Sequence, residues 1–189
     1  MTQNSQLHTI VALVEDRPGV LTRVASMFRR RGFNIASLAV GKSEQPGLSR
    51  MTFVVHGDED TVNQVTNQLD KLIEVIRVSD ISNQEMVARE LALIKVKSTA
   101  ASRGEIIQIV NLFRANIVDV GAQSMVIEIT GEEDKINALD NLLQPFGILE
   151  MLRTGLVAMV RGQSDGRVSD NVGIGLNGSG NGVGEARIG

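Results

Sequence analysis

Hydrophobic and polar positions alternate along the chain in blocks that first predict a strand and then a helix. The stretch "LHTIVALV" (7–14) is a short apolar run with β-branched residues, which is typical of a strand. From Pro18 onward the apolar spacing becomes helical. The positions predicted to share the buried face of this helix are Val20, Leu21, Val24, Ala25 and Phe28. Three arginines and then Gly32 mark its C-terminal end, where cations complement the helix dipole.

The next blocks complete a six-element pattern. Strands are predicted at "NIASLAV" (34–40), "LSRMTFVV" (48–55) and "EVIRV" (74–78), with helical spacing after Gly57. Alternation in the second of these strands predicts a sheet covered on one face. The resulting order, βαββαβ, is that of a ferredoxin-like split βαβ unit.

An internal repeat extends this pattern to the rest of the chain. Residues 49–78 align with residues 124–152, and the alignment takes Gly57-Asp58-Glu59-Asp60 onto Gly131-Glu132-Glu133-Asp134. Both acidic runs fall where helix N-termini are predicted, a place that stabilises carboxylates. Because repeats define the domain organisation, we predict an α+β chain with two ferredoxin-like βαββαβ domains in tandem.

The second copy has its own predicted boundaries and start signals. Its first strand is "ELALIKV" (90–96), and Ser102 with Glu105 forms a capping-box sequence at the start of its first helix. We predict one domain over residues 1–80 and the other over residues 86–162.

The C-terminal stretch, residues 163–189, changes sharply in composition. It is rich in glycine, asparagine and serine and nearly devoid of large apolar residues, so we expect a flexible, disordered tail. Gly173, Gly175 and Gly178 match the spacing of a dinucleotide-binding fingerprint. That motif functions only between a strand and a helix, and neither is predicted here.

Composition and charge exclude several classes of function. The net charge of −3 lacks the basic surface of nucleic-acid-binding proteins, and all of the few aromatic residues are phenylalanine. The chain has no cysteine, which excludes disulfides, cysteine-ligated metals and thiol catalysis. No apolar run is long enough to span a bilayer, and the first residues do not resemble a signal peptide. We therefore expect a cytoplasmic protein that binds neither nucleic acid nor membrane.

His8 and His56 are the two histidines of the chain, and no acidic partner can be assigned to either. We expect packing or surface roles for them and no metal site.

The turn Glu15-Asp16-Arg17-Pro18-Gly19 carries an acid, a proline and a glycine but no nucleophile. As plain turn chemistry, Pro18 suits a first helical turn and Asp16 caps the free N–H groups. As a binding site, Gly19 allows a close approach to the backbone, and the helix N-terminus receives a carboxylate while a nearby acid receives an ammonium group. Those two charges together describe an amino acid. The residues alone leave both interpretations open.

The same stretch carries a family resemblance. "DRPGVLTRVASMFRRRGFNIASLAV" resembles the signature of ACT domains, which are ferredoxin-like amino-acid sensors. The run continues through "LSRMTFVV", "KLIEVIRV", "RELALIKV", "IVDV" and "LRTGLVAMVRG", and is similar to the small, regulatory subunit of acetolactate synthase (acetohydroxyacid synthase) over residues 7–162. The glycine-rich tail departs from the family pattern.

The resemblance implies a regulatory subunit without catalysis of its own, in the first shared step of branched-chain amino acid synthesis. The expected partner is a large catalytic subunit that holds thiamine diphosphate, magnesium and FAD and condenses pyruvate with pyruvate or 2-oxobutanoate. No cofactor is expected in this chain. The small subunit is expected to raise the activity of its partner and to confer feedback inhibition, usually by valine.

The resemblance also implies a binding site shared by two copies of the chain. In the family, a homodimer pairs its ACT domains and binds the effector at their interface. The positions that match are Asp16, Gly19, Val20 and Leu21 of one chain, with Asn34 and Ile35 of its neighbour.

Two other functions are weighed against this one. An ACT-type sensor of a different enzyme or regulator would not be expected to carry the blocks of the second domain. A small ferredoxin-like acyl-phosphate hydrolase would use Arg17 and the helix N–H groups to hold phosphate. Such an enzyme also needs a polar group that positions water, and the sequence does not identify one.

Overall fold

The computed structural model describes residues 6–162, which form two α+β units. The elements of the first unit are β1 (Gln6–Glu15), α1 (Val20–Arg31), β2 (Ile35–Lys42), β3 (Leu48–Gly57), α2 (Glu59–Asp70) and β4 (Val75–Asp80). Those of the second are β5 (Met86–Lys97), α3 (Arg103–Leu112), β6 (Asn116–Val120), β7 (Ser124–Gly131), α4 (Glu133–Leu143), a 3-10 turn (Gln144–Phe146), β8 (Ile148–Arg153) and β9 (Val157–Val160).

Strand pairing confirms the predicted tandem ferredoxin-like fold. The first sheet has the order β2-β3-β1-β4 and the second has the equivalent order β6-β7-β5-β8, with antiparallel pairing throughout. Gly57 and Gly131, aligned by the repeat, each end the strand that precedes the second helix of their unit. Strand β9 has no counterpart in the first unit, and it pairs only with the first four residues of β5.

Helix α1 buries a different stripe from the one predicted. Its buried residues are Val20, Val24, Met27 and Phe28, spaced as one face of a helix. The prediction was wrong for Leu21, which is 47% exposed, and for Ala25, which is also exposed. Both lie one position further around the helix, toward solvent. Phe28 stacks on Phe53 of β3 with ring centroids 5.2 Å apart, and this contact joins the helix to the sheet.

The first sheet is covered on both faces, which contradicts the predicted one-sided burial. Thr52 and Val54 point away from the helices, yet they are only 3% and 8% exposed. Their cover comes from the second unit. The segment Thr154–Leu156 lies against β2, and the Leu156 amide donates a hydrogen bond to Ser37 Oγ at 2.9 Å. A pattern read within one domain cannot reveal a covering group that lies about a hundred residues away.

The helix termini follow the sequence signals only in part. The predicted acidic runs do lie at N-termini, and the carboxylate of Asp58 accepts hydrogen bonds from the Thr61 hydroxyl at 2.6 Å and the Thr61 amide at 2.9 Å. These bonds lower the pKa of Asp58 below its ordinary value, the hydroxyl bond being the larger cause. The Ser102 capping box does not form, because the Ser102 hydroxyl accepts from the Thr99 amide instead.

Within residues 6–162, no helix is long and apolar enough to cross a membrane. The predicted glycine-rich tail at 163–189, including the fingerprint match at Gly173, Gly175 and Gly178, lies outside the described residues.

Candidate functional site

The turn between β1 and α1 is held to neighbouring loops by backbone hydrogen bonds. The amide of Glu15 donates to the carbonyl of Glu74 at 2.9 Å, and the amide of Asp16 donates to the carbonyl of Gly47 at 2.8 Å. Three separate loops therefore meet at this end of the sheet, and these backbone hydrogen bonds hold the turn in place without a ligand.

Gly19 begins helix α1 in a left-handed conformation, with φ of 90° and ψ of −15°. Its carbonyl accepts from the Arg23 amide at 3.0 Å, so the glycine occupies the N-cap position. A residue with a Cβ adopts this conformation at a cost of about 1–2 kcal/mol. The backbone alone therefore calls for glycine here, whether or not a ligand binds.

Within residues 6–162, no acidic side chain binds the N–H groups at the N-terminus of α1. In the described chain, no side chain caps this helix end, and its first turn contains no acidic residue. The first N–H groups of an α-helix have no intrahelical acceptor, so an uncapped end is a ready site for a small anion. A Cβ built on Gly19 meets no atom within 4 Å, which shows open space beside these groups.

The charged side chains of the turn bear on the two interpretations that the sequence left open, helix capping by Asp16 and binding of an amino acid. Asp16 does not cap the helix, so the capping interpretation was wrong. Within residues 6–162 its exposed carboxylate forms no side-chain hydrogen bond and no ion pair, and it is available to a cation. Arg17, by contrast, is paired with Glu15. Arg17, which the acyl-phosphate hydrolase alternative requires as its cation, is therefore engaged in an exposed ion pair in this structure.

Val20 and Leu21 present different groups at the turn. The side chain of Val20 is 4% exposed and belongs to the core, and its amide donates to the carbonyl of Arg17 at 3.4 Å. Within residues 6–162 the next amide, that of Leu21, has no backbone acceptor and is the free donor at the turn. Leu21 is 47% exposed and places an apolar side chain beside Gly19. An amide, an apolar surface and a free carboxylate thus lie together at one end of the domain.

Asn34 and Ile35 lie at the opposite end. Strand β3 pairs Leu48 with Glu15 and Val55 with Ile35, so the two groups are separated by seven residues of strand. At about 3.4 Å per residue, this is about 24 Å. One chain therefore does not bring the six predicted site residues together.

The two histidines also lie apart. His8 is buried on the helix side of the first sheet, and His56, paired with Leu7 in the register, is exposed on the other side. In the described part of the chain, no cluster of three or more histidine, aspartate or glutamate residues has the arrangement of a metal site.

A cavity between the two units was not anticipated from the sequence. It has a volume of about 590 Å³ and is lined on the second-unit side by Glu90 and Arg153. A signal for it exists in "ELALIKV", because Glu90 shares the inward face of β5 with Ala92 and Ile94, where a charge is unusual. The sequence does not show where the first unit lies, so it cannot show that Glu90 borders a cavity.

Comparison with known proteins gives consistent matches over both units. The family model described as the small subunit of acetolactate synthase matches residues 89–162, and the one described as an AHAS small subunit-like ACT domain matches residues 10–77. A probable acetolactate synthase small subunit of Archaeoglobus fulgidus is 57% identical over 155 residues, which are 82% of this chain and 97% of that protein. The acetolactate synthase small subunit of Mycolicibacterium smegmatis is 51% identical over 162 residues, 86% of this chain and 95% of that protein.

A solved structure matches in the same way. The crystal structure of the acetolactate synthase small subunit from Thermotoga maritima is 44% identical and superposes with a TM-score of 0.78. The match covers 83% of this chain and 98% of that one.

Proposed function

Because the chain belongs to the acetolactate synthase small-subunit family, as a regulatory subunit of that enzyme, we propose that it stimulates a large catalytic subunit and makes it sensitive to feedback inhibition by valine or another branched-chain amino acid. Thiamine diphosphate, magnesium and FAD belong to that catalytic subunit in this proposal. The cytoplasmic location expected from the sequence stays a prediction.

One observation carries the proposal: the uncapped N-terminus of α1 beside an unpaired carboxylate. The effector's carboxylate accepts from the first amides of α1, where the helix dipole favours negative charge. Its ammonium group pairs with Asp16, and its branched side chain lies on Leu21. The second unit has "STAASRG" in place of this turn. We therefore assign effector binding to residues 1–80 and part of the stimulation of the catalytic subunit to residues 86–162.

The proposed effector site needs a second copy of the chain. Asn34 and Ile35 lie about 24 Å from the turn in the same chain, so a homodimer that pairs the first domains supplies them from the neighbour. Asn34 is exposed and offers its amide group, and Ile35 is half-buried at the edge of the core.

The test is a substitution at Gly19 that adds a negative charge where the effector's carboxylate would bind. Gly19→Asp introduces like-charge repulsion, and a loss of about 1.4 kcal/mol already weakens binding tenfold. We expect at least tenfold weaker inhibition by valine, with stimulation of the catalytic subunit mostly retained because the loop is exposed. The measurement is the activity of the reconstituted enzyme under rising valine, leucine or isoleucine, with calorimetric titration of the small subunit.

Two control variants separate charge from backbone strain. Gly19→Ala adds the strain of the left-handed conformation without the charge, and should retain more inhibition than Gly19→Asp. Gly162→Asp adds the same charge at a glycine of the second unit with φ of 85° and equally open surroundings, and should leave inhibition unchanged. Wild-type valine affinity in Gly19→Asp would refute the site.

A further inference from the structure

The inter-domain cavity is built by both units of a single chain. One wall is the face of the first sheet that points away from the helices, including Leu7, Thr9 and Val54. The other wall belongs to the second unit and includes Glu90, Arg153 and Leu156. At about 590 Å³, the cavity is large enough for a small metabolite.

Glu90 is a buried carboxylate whose hydrogen-bonding capacity is unused. The residue is 9% exposed, and its Oε2 lies 3.7 Å from Nη1 of Arg153, beyond hydrogen-bond length. Within residues 6–162, its side chain accepts no hydrogen bond. Its oxygens are not among the fully buried atoms without a partner, so a donor that enters the cavity can reach them.

Arg153 is anchored on one side and open on the other. Its Nη2 donates to Asn137 Oδ1 of α4 at 2.7 Å, which tethers one side of the guanidinium. Its Nη1 faces Glu90 across the 3.7 Å gap and has no hydrogen-bond acceptor among the described residues. The cavity thus presents an acceptor and a donor of opposite charge, side by side.

Apolar side chains stand next to this pair. Leu7 is 45% exposed despite lying in a strand, and Val54 and Leu156 line the same cavity. An α-amino acid carries an ammonium and a carboxylate on the same carbon, and an apolar side chain on that carbon completes the match to this surface.

We propose that this cavity is a second binding site, for an α-amino acid with an apolar side chain. The ammonium group donates to Glu90, the carboxylate accepts from Nη1 of Arg153, and the side chain lies on Leu7, Val54 and Leu156. Every residue of the site comes from one chain. The site therefore differs from the turn at Gly19, which lies at the other end of β1 and needs a neighbouring copy.

Because the site joins the two units, its occupancy stabilises their contact. The ligand touches the first sheet through Leu7 and Val54 and the second unit through Glu90 and Arg153. An amino acid bound here should therefore raise the midpoint of thermal unfolding of the full chain.

The experiment is a titration of the methyl-labelled full chain with L-valine and L-leucine, followed by NMR. We expect the methyl signals of Leu7, Val54 and Leu156 to shift in a saturable way, while that of Leu21 reports separately on the turn. The double variant Glu90→Gln/Arg153→Gln should weaken the shifts at the cavity at least tenfold. Removing both charges together avoids leaving either one buried without its partner. Glu105→Gln, which removes an exposed charge from helix α3 that does not line the cavity, is the matched control and should bind as wild type.

Two single-charge analogues test the zwitterion on the wild-type chain, so the result does not depend on the variant folding. Isobutylamine supplies only the ammonium group and 3-methylbutanoate only the carboxylate, and each should bind at least tenfold more weakly than valine. Absence of shifts at the methyl groups of Leu7, Val54 and Leu156 up to about 10 mM amino acid, or equal binding of the analogues and valine, would overturn the proposal. A shift at Leu21 alone would support the turn site and overturn this one.

Discussion

Replacing Gly155 by alanine tests how the two domains are held together. Gly155 lies in the segment that crosses from β8 to β9 and has φ of 82°. A Cβ built on it would lie 2.9 Å from Ser37 Oγ and 3.0 Å from the carbonyl oxygen of Leu38. The second atom belongs to the backbone of β2, so it cannot move aside as a flexible side chain would.

The expected cost has two parts. The left-handed conformation costs a residue with a Cβ about 1–2 kcal/mol. To relieve the contact with Leu38 the segment must withdraw from β2, which breaks the hydrogen bond from the Leu156 amide to Ser37 Oγ, worth about 0.5–1.5 kcal/mol. Alanine also lowers the conformational entropy of the unfolded chain, which stabilises the folded state by about 0.4–1 kcal/mol. We expect the free energy of unfolding to fall by about 1–3 kcal/mol.

Gly162→Ala is the matched control for this prediction. Gly162 has φ of 85°, and a Cβ there meets nothing within 4 Å. It therefore experiences the same backbone strain and the same unfolded-state effect without any inter-domain contact. We expect a loss of about 0–1.5 kcal/mol. The difference between the two variants measures the contact of the segment with β2.

The assay is urea unfolding followed by far-ultraviolet circular dichroism, since the chain has no tryptophan or tyrosine to report by fluorescence. Weaker coupling should also separate the unfolding of the two domains, seen as a broader or two-step transition. If Gly155→Ala loses no more stability than Gly162→Ala and unfolds in the same single step, the segment does not couple the domains and the reasoning is refuted.

Two further predictions concern polar groups in the first domain. His8→Leu should raise the free energy of unfolding by about 1 kcal/mol, because neither ring nitrogen of the buried imidazole has a hydrogen-bond partner in the described structure. The same change at the exposed His56 should alter the free energy of unfolding little, and a clear loss of stability in His8→Leu would contradict this reasoning. Asp58→Ala should destabilise the protein at pH 7. The folded-state pKa of Asp58 is lowered, so this contribution is complete above the ordinary aspartate pKa of about 4 and is lost as the pH falls through the lowered value. Urea titrations from pH 7 to acid should show the effect shrinking. Glu132→Ala, at the corresponding N-cap without a side-chain cap, loses only an exposed ion pair with Arg89 and should show a smaller effect.

The order of elements was predictable because each one is encoded locally. The alternation in residues 7–14, the helical spacing after Pro18 and the repeat of Gly57-Asp58 at Gly131-Glu132 all act within a few residues. Local signals failed where two partners compete. The hydroxyl of Ser102 bonds the Thr99 amide rather than the helix it precedes, and no rule of spacing decides between those partners.

The position of the turn at Asp16–Gly19 was predictable from the sequence, but its role was not. The sequence left capping and binding open, and the structure removed the capping role of Asp16 and showed Gly19 to be left-handed. Which residues meet in space was a different question. Asn34 and Ile35 are fifteen to nineteen residues from the turn in sequence, and α1 carries the chain to the other end of the sheet, so only the fold reveals that one copy keeps them apart.

By itself, the sequence determined the two ferredoxin-like units and their order, because these depend on local periodicity and on a pattern repeated along the chain. It also carried the motifs through which the chain resembles its family. Tertiary structure alone decided that the second face of the first sheet is buried, that Thr154–Leu156 lies on β2, and that Glu90 and Arg153 face Leu7 across a cavity. The physical reason is that burial and charge pairing depend on the distance between atoms in space. Residues far apart in sequence carry no periodic signal of that distance, and only packing of the two units brings them together.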